Sequence, residues 1–274
     1  MDLVDTISVT RVIITGIVIV TRMDVRVKGG RPAGPFLSAQ DVFETEYDIE
    51  KPVHVQIRSG SDERTWTAHY DDHHILNMPD TVATSTMARE LALHEYSHMH
   101  RNEQGHPSHT QSTTEALYLA LTGRSIERRT LAHCHQIANH MKDIYADDIT
   151  LDVMPSNKLV SFLESSLASA LVNRSTGVPS AWHRLSAATD VDPDITAVNA
   201  AFALALCERH DLVGDDHPLY DLAHAAAKDA PNVRLNAFKT RFRTLSTDPD
   251  ESEYRKALVD VTREYAMDTN VAAD

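Results

Sequence analysis

Between Pro52 and Met78 hydrophobic and polar residues alternate. Val53, Val55 and Ile57 are interleaved with His54, Gln56 and Arg58, the period of two expected of a half-buried strand. Thr65 to Tyr70 and His74 to Met78 carry similar short runs, joined across Asp71-Asp72. Together they predict a small antiparallel meander that Pro79 ends. From Thr84 the period becomes helical. Met87, Leu91, His94 and His98 fall at i, i+4, i+7 and i+11, so they share one helix face. Gly105 and Pro107 stop that helix.

A second helix follows the Ser/Thr cluster at 110–114 and runs to about Leu121, and a third spans about Ser125 to Val153, before Met154-Pro155. Ser156 opens a helix to about Asn173, and Asp192-Pro193 opens another to about Arg209, with proline suited to the first helical position. Further helices are expected over 217–229, 232–245 and 250–267. Near the start, Gly29 to Phe36 reads as loop, followed by a short helix from Ser38. The fold class is therefore α+β: a small antiparallel sheet with adjoining helices, then an all-helical C-terminal region. The expected division is an extension at 1–22, a first domain at 23–155 and a helical domain at 156–274.

Val12 to Val20 is an apolar run of nine residues between Arg11 and Arg22, far short of the ~20 that a membrane span needs. Asp2 and Asp5 spoil a signal peptide's basic start. Residues 1–22 read as an upstream start-site artefact or a loosely attached extension ahead of Met23.

Composition narrows the class. The 274 residues are 42% hydrophobic and 24% charged, an ordinary globular balance. Net charge is −14, with 26 Asp, 14 Glu, 19 Arg and 7 Lys. Such an Asp-rich, Lys-poor surface resembles that of proteins from salt-in halophilic archaea, and no dense basic stripe marks a nucleic-acid partner. Two cysteines, Cys134 and Cys207, exclude a disulfide scaffold. No glycine-rich phosphate loop, GxSxG or CxxC is present. Chain and charge point to a cytoplasmic protein without a nucleic-acid or membrane partner; the oligomeric state is not legible.

Histidine is abundant, with 16 in all and eight between His94 and His140. His94-Glu95-Tyr96-Ser97-His98 is an HExxH motif. On a helix, i and i+4 bring two imidazoles to one face, where they can take adjacent corners of a zinc tetrahedron. Glu95 projects beside them and can accept a proton from water. Tyr96 points off that face, toward the core.

The motif follows a strand and lies in Ala88-Arg-Glu-Leu-Ala-Leu-His-Glu-Tyr-Ser-His-Met. Here the chain resembles the zincin metallopeptidases, over roughly residues 70–152. The metzincin continuation fails, because Arg101 stands at its glycine place and Gln104 at its last histidine. The gluzincin continuation is matched by Asp143-x-x-Ala146-Asp147, with Asp for the usual Glu. The chain is also similar to an uncharacterised archaeal HExxH domain family. The gluzincin resemblance implies bound Zn2+, with His94, His98 and Asp143 as ligands, Glu95 as general base and acid, and Asp147 orienting a ligand histidine. Asp147, His140 and Glu115 stay open as alternative ligands. It also implies a peptide or protein substrate, with the strand Ile75 to Met78 as the edge that pairs with an extended peptide. His217, His224, Arg241 and Arg243 are candidates for stabilising an oxyanion. Hydrolysis of a non-peptide amide, or a non-catalytic metal-binding scaffold or regulatory module, are the competing readings.

Overall fold

The structure, a computed structural model, describes residues 22–28, 32–59, 65–173 and 192–270. Apart from Arg22, the expectation for residues 1–22 lies outside them. The elements run β1 (Val25–Lys28), α1 (Gly34–Phe43), β2 (Val53–Arg58), β3 (Trp66–His69), β4 (His74–Pro79), α2 (Asp80–Ala83), α3 (Ala88–Glu103), α4 (Pro107–Thr110) and α5 (Thr113–Leu121). Then follow α6 (Arg128–Val153), α7 (Ser156–Asn173), α8 (Pro193–Arg209), α9 (Pro218–Lys228), α10 (Leu235–Arg243) and α11 (Glu251–Asn270). The chain is α+β, with a small sheet and C-terminal helices. Among the described residues no helix is long and apolar enough to cross a membrane.

The contacts group the chain into two compact units: residues 1–106 with 148–154, and residues 107–147 with 155–274. Residues 107–147, expected with the sheet, thus group with the C-terminal helices.

In the first unit the sheet has the order β1-β2-β4-β3. β1 pairs parallel to β2, β2 pairs parallel to β4, and only β3 runs antiparallel to β4. The expected antiparallel meander is therefore a mixed sheet. Alternation specifies which side of a strand is buried, but not which strand lies beside it. β4 is also not an edge. Its two sides are taken by β2 and β3, so its backbone cannot pair with a peptide; β1 and β3 hold the edges. The pairing register puts Val53, Val55, His74, Leu76 and Met78 on one face, and all five are fully buried. α1 and α3 pack together in this unit, and α3 also packs near β3.

α1 begins earlier than expected, inside the Gly/Pro segment, because Pro35 occupies its first turn without needing a backbone donor there. Tyr96 of α3 is fully buried, donates its hydroxyl to the Phe36 carbonyl (3.2 Å) and meets the Phe43 ring edge-on at 6.1 Å. α3 ends at Gly105, whose φ is +65°. His106 N–H reaches the Arg101 carbonyl and Gly105 N–H that of Asn102, both at 3.0 Å. This paired closure uses the left-handed residue that glycine adopts at least cost.

In the second unit α8 is buried along Asp194–Cys207. A helix apolar on every side belongs at the centre, and α7, α9 and α10 pack on it. Its start is fixed by Asp192, which accepts from Asp194 N–H at 2.9 Å and pairs with Arg129. α11 packs on α5.

Candidate metal centre

α3 carries His94, Glu95 and His98. The two histidines are half-buried and Glu95 is buried at 7% exposure. Their rings meet edge-to-face at 4.6 Å between centroids, with the two Nε2 atoms 3.0 Å apart. Nitrogens on adjacent corners of a tetrahedral zinc stand roughly 3.3 Å apart, given bonds of about 2.0–2.1 Å. The spacing that i and i+4 predict is therefore realised.

The third donor comes from α6, one continuous helix whose last turns belong to the sheet-bearing unit. Thr150 Oγ1 lies 2.9 Å from Ser97 Oγ, in the turn between the two histidines. Asp152 accepts from Tyr47 OH at 2.5 Å. Asp143 and Asp147 precede Thr150 by seven and three residues, on the same helix face. One ligand atom each from His94, His98 and Asp143 lies within 4.8 Å of the others, the one such group among the described residues. The donor set suits zinc: two imidazole nitrogens and one carboxylate oxygen, partly shielded from water.

The group of three does not include the other candidates. Glu115 is exposed in the first turn of α5, where its backbone N–H donates to Ser112 Oγ (3.3 Å). Asp147 is buried at 4% exposure on the face that holds Asp143. His140 is buried with Nε2 turned to Asn199 Oδ1 at 2.7 Å, and its Nδ1 lies 3.5 Å from Asp143 Oδ2.

Other histidines, and the four candidates for stabilising an oxyanion, are engaged elsewhere or exposed. His100 Nδ1 donates to the Asp48 carbonyl (2.6 Å), and His133 Nδ1 is 2.5 Å from Tyr265 OH. His217 caps α9 by accepting from Leu219 N–H, and His224 is exposed. Arg241 pairs with Glu264 and Arg243 with Glu208.

Three participants carried no sequence signal. Asn199 and Gln136 bracket His140 Nε2. Tyr254 of α11 is buried with a hydroxyl that has no hydrogen-bond partner. Its burial, together with the nearby Tyr145 and Asp143, pushes its pKa well above the ordinary tyrosine value. No spacing rule links such residues to HExxH.

The profile of a family described as a family of unknown function (DUF5781) matches residues 23–267, and the chain belongs to that family. Among curated proteins and solved structures, nothing matches the chain.

Proposed function

Within a family whose function is unknown, we propose that this chain is a zinc-dependent metallopeptidase of gluzincin type. The observation that carries the reading is the approach of Asp143 to His94 and His98, beside a buried Glu95. Two histidines at i and i+4 are common on helices. A carboxylate converging on them from 45 residues away in the sequence is far less so, and three protein ligands are what a catalytic zinc site uses.

His94, His98 and Asp143 would hold the ion. Zinc, when bound, supplies Lewis acidity toward a carbonyl and makes water easier to deprotonate. Glu95 takes the proton of the attacking water and returns it to the departing nitrogen. Its low exposure keeps bulk water from competing for that proton. Asp147 orients a ligand histidine by accepting its second N–H. The outer edge of β3 rather than β4 holds an extended peptide through backbone pairing. The substrate is a cytoplasmic peptide or protein.

The test is peptide cleavage by zinc-loaded protein in high salt, read by mass spectrometry on a peptide mixture. Cleavage by wild type and its loss in Glu95→Gln, with metal retained, is the expected result. Failure of the zinc-loaded wild type to cut any peptide, with hydrolysis of a simple amide instead, would replace the peptidase by a non-peptide hydrolase. No hydrolysis of either would leave a non-catalytic metal-binding module.

A further inference from the structure

We propose that one face of the sheet binds single-stranded RNA. All of its residues lie in the sheet-bearing unit. The pairing register sets Lys28 of β1, Gln56 of β2, Asn77 of β4 and Trp66 of β3 in one row across the four strands. Neighbouring strands stand about 4.8 Å apart, so the row is about 14 Å wide. Arg58 shares this face, because alternate residues of a strand point to the same side. The opposite face is turned to α3, whose Glu103 meets His74.

Asn77 is the strongest sign of a ligand. It is 1% exposed, and neither its carboxamide oxygen nor its nitrogen has a hydrogen-bond partner. A buried donor and acceptor left unpaired destabilise a fold. They are rare in native proteins, and a ligand that supplies the missing partners is a reason to keep them. Arg58 and Trp66 approach each other beside it, with Arg58 Cζ 5.5 Å from the ring centroid. β4 runs between their strands, so the pair bridges β4 next to Asn77.

The chemistry of the row matches an unpaired nucleotide. Trp66 is 42% exposed and offers a flat ring for a base to stack on, to which the Arg58 guanidinium adds. His54, in the next row, is linked through His73 to the exposed Tyr70 by ring contacts of 4.9 Å and 4.7 Å. Gln56 and Asn77 carry the donors and acceptors that a base edge requires. Lys28 and Arg58 are exposed cations suited to phosphate. Arg26 lies on this face as well, paired with Asp24 at 2.5 Å. The described strand positions of this face hold no Asp or Glu, although the chain carries a net charge of −14. The pKa of His54 is lowered, by burial first and then by Lys28, His73 and Arg26, which is the mark of a locally positive surface. These cations come from separate strands, so no basic run along the chain announces them and the net charge conceals them. An acidic peptide would satisfy the cations but gives Trp66 no flat partner. A membrane surface calls for apolar residues where Gln56 and Asn77 stand. RNA is favoured over DNA because its 2′-hydroxyl, both donor and acceptor, gives the carboxamides a further partner.

The test is fluorescence anisotropy with a labelled mixed-sequence RNA of about ten nucleotides, over the salt range in which circular dichroism shows the protein folded. Wild type is expected to bind, more weakly as salt rises. Trp66→Ala should weaken binding about 5–150-fold. Arg58→Gln should make the salt dependence shallower, by about 0.7 in the log–log slope. Asn77→Leu should weaken binding at least about fivefold without lowering the melting temperature, because the folded chain loses no hydrogen bond. Tyr118→Ala removes an aromatic that is 70% exposed on α5, in the other unit, and should leave the affinity unchanged. No binding by folded wild type, or unchanged affinity in both Trp66→Ala and Asn77→Leu, would overturn the proposal. Equal affinity for polyglutamate of the same length would overturn it in favour of an acidic-peptide surface, and tighter binding of the matching DNA would overturn the choice of RNA. If Trp66→Ala does not fold, Asn77→Leu and Arg58→Gln decide.

Discussion

Ser97 Oγ lies 2.9 Å from Thr150 Oγ1, and Ser97 Oγ also reaches its own helix at the Leu93 carbonyl, again at 2.9 Å. Both residues are buried. This hydroxyl pair joins α3 to the final turns of α6 within one unit. Thr150→Val keeps the shape and removes the hydroxyl. The expected loss is about 1 kcal/mol of stability, the usual net worth of a hydrogen bond, read by urea unfolding. A double-mutant cycle with Ser97→Ala should show coupling on the order of 0.5–1.5 kcal/mol; additive effects would mean the pair does not join the helices.

Glu95→Gln preserves shape and removes the base. Peptide hydrolysis should fall by about 10²–10⁴-fold, with zinc content unchanged by elemental analysis. Undiminished turnover in that variant would move the proton-transfer role to another group.

Glu103, at the end of α3, accepts from the backbone N–H groups of Glu50 (2.7 Å) and Lys51 (2.9 Å), and its Oε1 is 3.0 Å from His74 Nε2. Burial pushes its pKa upward, but these hydrogen bonds outweigh that, and the net effect is a lowering. A depressed carboxyl stabilises the fold above its unfolded value, near 4.3, and that contribution is lost as pH falls through the folded value. Glu103→Gln should therefore be less stable at neutral pH, and its urea midpoint should fall less steeply on acidification below about pH 5. Parallel curves for variant and wild type would refute the assignment.

Burial pushes the Cys134 thiol up to about 12. Burial first, and then the charge of Glu208, pushes Cys207 up to about 12 as well. Thiolate is the reactive form, so at pH 8 neither should react with an aromatic disulfide reagent in the native protein. Both should react in denaturant. Rapid native labelling of one cysteine would show that its surroundings open readily.

Helix positions were legible because the chain punctuates them. Pro155-Ser156, Asp192-Pro193 and Gly105 stand where α7, α8 and α3 begin or end. Strand order was not legible. Val25–Lys28 is too short and too near a Gly/Pro segment to register as a strand, and parallel pairing joins segments that no local turn connects. That is why β4, which alternation alone allows at an edge, lies between β2 and β3. Half the site was legible for the same reason as the helices: His94 and His98 are placed by local geometry alone. Asp143 remained one of several carboxylates because it lies 45 residues beyond His98 in the sequence, where no local spacing links the two. Asn199 and Tyr254 are brought near α6 by packing within the helical unit, and packing leaves no spacing to read.

The central claim is that His94, His98 and Asp143 form one metal site. Its most direct test is zinc stoichiometry by equilibrium dialysis and elemental mass spectrometry in high salt, for wild type, His94→Ala, Asp143→Ala and Glu115→Ala. The account predicts about one zinc per chain in wild type and Glu115→Ala, with loss or severe weakening in His94→Ala and Asp143→Ala. No zinc uptake by the folded wild type, or full uptake by Asp143→Ala, would contradict it.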